Sequence, residues 1–129
     1  MDLVQYHRSK TGSLFGAATQ CGARAAGQDH LPWQALGEKI GEAFQVADDI
    51  RDAAGDPDKL GKPVGVDALL DRPSAVRELG LVGAIHKLEA MVEDAANSVP
   101  DCRGAEPLRA QIKKEAAQFL PKDIWILAA

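Results

Sequence analysis

Apolar residues recur at intervals of three and four along most of the chain, the period of a helix with one buried face. One stripe runs through Leu36, Ile40, Ala43, Phe44, Ala47 and Ile50 and predicts a helix of about twenty residues. The same spacing returns at Leu81, Ile85, Leu88, Met91, Val92 and Ala95, and again at Leu108, Ile112, Ala116 and Phe119. A first segment, from about Leu3 to Ala26, is helical through Leu14, Phe15, Ala18, Cys21 and Ala25, but it carries Gly12, Gly16 and Gly22 inside it. Each of these glycines costs about 1 kcal/mol relative to alanine. A missing Cβ repays that cost where a second helix packs closely or where a ligand approaches, and the sequence leaves both open. Gly27 to Pro32, Gly55 to Pro63, Arg72-Pro73, Pro100 to Pro107 and Pro121 punctuate the helices. Every stripe needs a neighbour, so the pattern predicts an all-α bundle forming one helical domain over 1–129.

Composition agrees with that reading. The 129 residues are 46% apolar, with only 5% aromatic residues and 22 alanines, which favours helices packed through small side chains over a sheet. The formal charge of −4 and the lack of a Lys/Arg cluster exclude a nucleic-acid partner. No run of eighteen apolar residues suggests a membrane span, and the start, MDLVQYHRSK, lacks the apolar core of a secretory signal. The expectation is a soluble, cytoplasmic chain whose cysteines, Cys21 and Cys102, are reduced and buried. His7, His30 and His86 show no metal-ligand spacing and are expected to be solvated or to pack. The apolar tail DIWILAA, with Trp125, is too short to span a bilayer and is expected to pack on a groove or a partner.

The sharpest chemistry lies in Phe44-Gln45-Val46-Ala47-Asp48-Asp49-Ile50-Arg51-Asp52. At 100° per residue, Gln45, Asp48, Asp49 and Asp52 fall within an arc of about 100°. Three carboxylates so spaced repel one another, by about 0.2–0.5 kcal/mol per pair, and the helix dipole disfavours anions near a C-terminus. Local stability does not select such a face. A hard cation does, because Mg²⁺ takes oxygen ligands and binds through a few carboxylates together with substrate phosphates. Lys10 and Thr11 precede the face, and the loop Leu60-Gly61-Lys62-Pro63-Val64-Gly65-Val66-Asp67 follows it with Lys62. Their ammonium and hydroxyl groups suit phosphate oxygens.

Taken together, the strings YHRSKTGSLFGAATQCGA, LGEKIGEAFQVADDIRD and LGKPVGVD resemble, in order and spacing, the trans-type isoprenyl diphosphate synthases, or polyprenyl synthetases. Within that family the wording is most similar to bacterial members that make geranylgeranyl diphosphate for carotenoid and bacteriochlorophyll pathways. The resemblance implies transfer of an allylic prenyl group onto isopentenyl diphosphate, with Mg²⁺ and release of diphosphate. It further implies that Asp48 and Asp49 contact Mg²⁺ directly or through water, with Asp52 completing the acidic face. By the same resemblance Lys10 and Lys62 bind the allylic diphosphate, while Thr11 and Gln45 line the reaction site.

The family also carries an earlier aspartate-rich motif followed by paired arginines, and neither occurs in this sequence. The resemblance covers roughly the C-terminal two-fifths of the family's helical bundle, so it implies half of a metal site, and the segment that sets product length is missing too. Two functions are therefore expected: a prenyltransferase portion that needs a complementary N-terminal half, or a non-catalytic helical module that retains a Mg²⁺–diphosphate face. Association, as a homo-oligomer or with that half, is expected to cover apolar stripes on Leu14 and Phe15 or on Leu36 and Ile40.

Overall fold

The computed structural model describes residues 3–55 and 75–129, and among them forms five α-helices and a final 3₁₀ turn. Helix α1 spans Leu3–Ala25 and α2 Leu31–Gly55. The first helix is stopped by Gly27, whose φ of 76° lies in the left-handed region. There the Gln28 N–H reaches the Ala23 carbonyl at 2.9 Å and the Gly27 N–H the Arg24 carbonyl at 3.0 Å, the paired bonds of a Schellman stop. The second begins after Asp29, whose carboxylate accepts the Leu31 N–H at 3.2 Å, with Pro32 in the first turn, where its missing N–H costs nothing.

The short connection forces α1 and α2 antiparallel, and they pack through backbone. A Cβ placed on Gly37 would stand 2.3 Å from the Phe15 carbonyl oxygen and 2.6 Å from the Gly16 Cα; one on Gly41 would stand 3.3 Å from the Gly12 Cα. The Thr19 hydroxyl donates to the Trp33 carbonyl at 2.6 Å and pins the crossing further. Neither explanation for glycine in α1 is decided at Gly16, where a Cβ would meet Gln34 and Glu38 at an ordinary contact distance of 3.5 Å; the crossing is made possible chiefly by Gly37 on α2. Gly22 faces open space.

Helix α3, Ala75–Asn97, covers the opposite side of α2. Ala43, Val46, Ala47 and Ile50 of α2 meet Ala84, Ile85 and Leu88 of α3 in the main cluster, which Leu120 closes. The expected stripe from Leu81 to Ala95 thus forms, but the helix is broken at Gly80 (φ 76°, ψ 172°). Helix α4, Ala105–Ala116, has Glu106 in its first turn and Lys113 and Lys114 in its last, in the sense the helix dipole favours. It joins a second cluster around Leu36, Val99 and Ala105. The tail forms α5, Lys122–Trp125, and the 3₁₀ turn Ile126–Ala128. It folds back on its own chain: the Trp125 indole donates to the Ala117 carbonyl at 2.8 Å, and His86 Nε2 lies 2.9 Å from the Ala128 carbonyl.

Among the described residues, ten of the seventeen buried apolar side chains are alanines, which is how 5% aromatic content suffices for a close-packed interior. Two expectations are corrected. Cys21 is exposed and Cys102 half-buried rather than both buried, although both are free thiols; Cys21 lies on the side of α1 that no described helix covers. Leu36 is 2% exposed, enclosed by α4, whereas Leu14 does stand out at 64%. Among the described residues no helix is long and apolar enough to cross a membrane.

Candidate functional site

The C-terminal half of α2 carries the acidic face, and the core decides which way it looks. Ala47 and Ile50, both fully buried against α3, fix the helix rotation. Gln45, Asp48, Asp49 and Asp52 are thereby turned from that core; the first three are half-buried and Asp52 is exposed. The tight crossing with α1 lies one to two turns earlier, at Gly37 and Gly41. A cleft of about 640 Å³ opens where α1 and α3 both flank α2, lined by Ser9, Gly12 and Ser13 from α1, Glu38, Glu42 and Gln45 from α2, and Lys87 and Met91 from α3. Gly12 borders this cleft as well as the helix crossing, and a Cβ there would meet no atom within 4 Å.

The antiparallel register sets Lys10 and Thr11 beside α2 within about a turn of Gln45, because Gly12 abuts Gly41. Thr11 is half-buried and Lys10 exposed. Two residues from Gly12, Lys10 lies about 160° around α1 from the α2 contact. It shares the outer face of that helix with Leu14. The structure therefore brings Gln45, Asp48, Asp49 and Asp52 together on one helix face, aligns the Lys-Thr pair along the helix axis, and leaves Lys10 turned away from α2. Lys62 and its loop lie outside the described residues.

One neighbour of the acidic face went unread in the sequence. Arg51 donates from Nη2 to Asp48 Oδ1 at 3.0 Å and from Nη1 to the Phe119 carbonyl. Its guanidinium carbon sits 5.4 Å from the centroid of the Phe44 ring. Phe44 in turn packs at 5.8 Å against Phe15 and edge-on, at 5.6 Å and 88°, against Phe119. The i,i+3 spacing of Asp48 and Arg51 was a signal for the ion pair; the link to Phe119, 68 residues away, had none.

Among the described residues no three His, Cys, Asp or Glu side chains converge on one point as metal ligands. The donor chemistry still fits Mg²⁺. Carboxylates on one helix face offer separate hard oxygens instead of a closed cage, which suits an ion that keeps water and takes its remaining ligands from phosphate.

The family described as Polyprenyl synthetase matches residues 1–105. The chain is similar to a geranylgeranyl diphosphate synthase of Cereibacter sphaeroides, 48% identical over 124 residues, covering 96% of this chain and 43% of the relative. A geranylgeranyl diphosphate synthase of Rhodobacter capsulatus is 43% identical over 120 residues, covering 93% of this chain and 42% of the relative. A farnesyl diphosphate synthase of Escherichia coli is 42% identical over 101 residues, covering 75% of this chain and 34% of the relative. The chain spans about two-fifths of the length of the first two relatives. No solved structure matches it.

Proposed function

Because this chain belongs to the polyprenyl synthetase family, we propose that it is a prenyltransferase portion acting in isoprenoid biosynthesis. In the reaction an allylic diphosphate ionises and isopentenyl diphosphate attacks the resulting carbocation. The observation that carries this reading is the acidic face of α2, held outward by Ala47 and Ile50 beside the crossing with α1.

Heterolysis of the allylic C–O bond builds negative charge on the departing diphosphate, so positive groups aimed at its oxygens lower the barrier more than they stabilise the ground state. Mg²⁺, when bound, supplies much of that charge. Asp48 and Asp49 would hold it, with Asp52 at the exposed edge of the face. By the family resemblance Lys10 and Lys62 serve the allylic diphosphate as ammonium donors, and Lys10, turned away from α2, would do so in a site that a complementary portion completes. Thr11 and Gln45 orient the substrate through hydroxyl and amide dipoles, and the half-buried position of Gln45 at the cleft suits that work. The new double bond forms with loss of a proton, for which the oxygens of the departed diphosphate are an acceptor.

The reading includes a complementary N-terminal half, since the relatives are more than twice as long. The test is product formation from dimethylallyl and radiolabelled isopentenyl diphosphates with Mg²⁺. The purified chain alone is expected to give none, and prenyl product is expected once the N-terminal portion is supplied in trans. Continued inactivity with that portion present would reduce the chain to the second reading, a non-catalytic Mg²⁺–diphosphate module. Diphosphate binding that survives Asp48→Ala with Asp49→Ala would remove the metal role from both.

A further inference from the structure

We propose that Arg51 is a positioning residue for Asp48: it fixes that carboxylate on the acidic face and ties it to the C-terminal segment through the Phe119 carbonyl. The inference rests on the reading that Asp48 helps to hold a divalent cation with diphosphate. Three contacts make Arg51 more than a surface counter-charge. Its fork spans Asp48 Oδ1 on one side and a backbone carbonyl on the other, and its plane lies near the Phe44 ring. Phe119, which supplies the carbonyl, is itself packed edge-on against Phe44, and the next residue, Leu120, is 3% exposed in the core. The guanidinium is thus anchored at its far end by buried structure, and Asp48 is the movable partner. With Oδ1 held by Arg51, the bond fixes the side-chain rotamer and leaves Oδ2 as the oxygen available to a cation or its water.

Charge and geometry predict opposite signs, which makes the proposal testable. On charge alone, deleting a cation beside a divalent-ion site tightens binding of that ion. Loss of a partner that orients a ligand weakens it, typically by tenfold or more. The full 129-residue chain is titrated with Mn²⁺ in the presence of inorganic pyrophosphate, reading free Mn²⁺ by electron paramagnetic resonance. Arg51→Ala is expected to weaken Mn²⁺ binding about tenfold. Arg51→Lys, which keeps the charge but cannot span both partners, should weaken it similarly. In an Asp48→Asn background Arg51→Ala should cause no further change, because its effect passes through that carboxylate.

Binding that is unchanged or tighter in Arg51→Ala, or restored by Arg51→Lys, overturns the proposal. So does a loss of equal size in the Asp48→Asn background, which would mark Arg51 as merely structural. Arg51→Gln, which keeps part of the aliphatic stem over Phe44, is carried through the same cycle so that the outcome does not depend on the alanine variant folding. If Asp48→Asn alone leaves binding intact, or the unsubstituted chain binds no Mn²⁺–pyrophosphate, the underlying metal reading fails and the positioning role falls with it.

Discussion

At Gly37 a single methyl group would have to share space with the Phe15 carbonyl oxygen and the Gly16 Cα, and backbone atoms of a packed helix cannot rotate aside. Gly37→Ala is therefore expected to push α1 from α2 and to lower stability by about 1–3 kcal/mol, as overpacking does. Urea unfolding followed by circular dichroism measures it. Gly22 supplies the internal control, because a Cβ there meets nothing within 4 Å. Gly22→Ala should raise stability, by up to about 1 kcal/mol, through helix propensity alone. Glycine content by itself pointed to α1, where three glycines interrupt a helix. The decisive contact is on α2, where Gly37 and Gly41 stand beside the apolar stripe of Leu36, Ile40 and Ala43 and the unbroken helical period masks them. Equal effects of the two substitutions would show that the crossing is looser than these distances require.

Among the elements, α3 shows what periodicity reveals and what it hides. The stripe from Leu81 to Ala95 was readable because burial against α2 repeats with the helical period. Gly80 was not, since a backbone break leaves no hydrophobic mark. Its φ of 76° with ψ of 172° lies in a region essentially reserved for glycine. Gly80→Ala is expected to cost about 1–3 kcal/mol although a Cβ there meets no atom within 4 Å; strain, not crowding, sets the cost. A urea midpoint unchanged from the parent chain would mean that the helix straightens without loss. The same division separates the acidic face from its partner. Gln45, Asp48, Asp49 and Asp52 follow from arithmetic on one helix. The bond from Arg51 to Phe119 depends on how the chain returns after α4, which no local pattern encodes. The tail was legible as something that packs, and Trp125 decides where, by donating to Ala117 of its own chain.

At the scale of the whole molecule, the outer side of α1 connects the fold to the proposed chemistry. Lys10 and Leu14 are one turn apart on the face opposite Gly12, and Leu14 is 64% exposed. A lysine assigned to diphosphate and an uncovered leucine thus share one surface. In the proposed reading this is the surface that the complementary N-terminal portion approaches, which would place Lys10 inside a site that the isolated chain leaves open to solvent. Leu14→Asp separates folding from assembly. A substitution at so exposed a position away from caps and packed contacts is expected to move the chain's own stability by no more than about 0.5 kcal/mol. Desolvating the same carboxylate against an apolar partner is costly. The variant should therefore keep the helical signal and unfolding midpoint of the parent chain, yet lose most of the prenyl product formed when the N-terminal portion is added in trans. Lys10→Ala should lower product formation while leaving association with that portion, measured by analytical ultracentrifugation, unchanged. Full complementation by Leu14→Asp would move the meeting surface elsewhere on the bundle and would detach the position of Lys10 from the assembly argument.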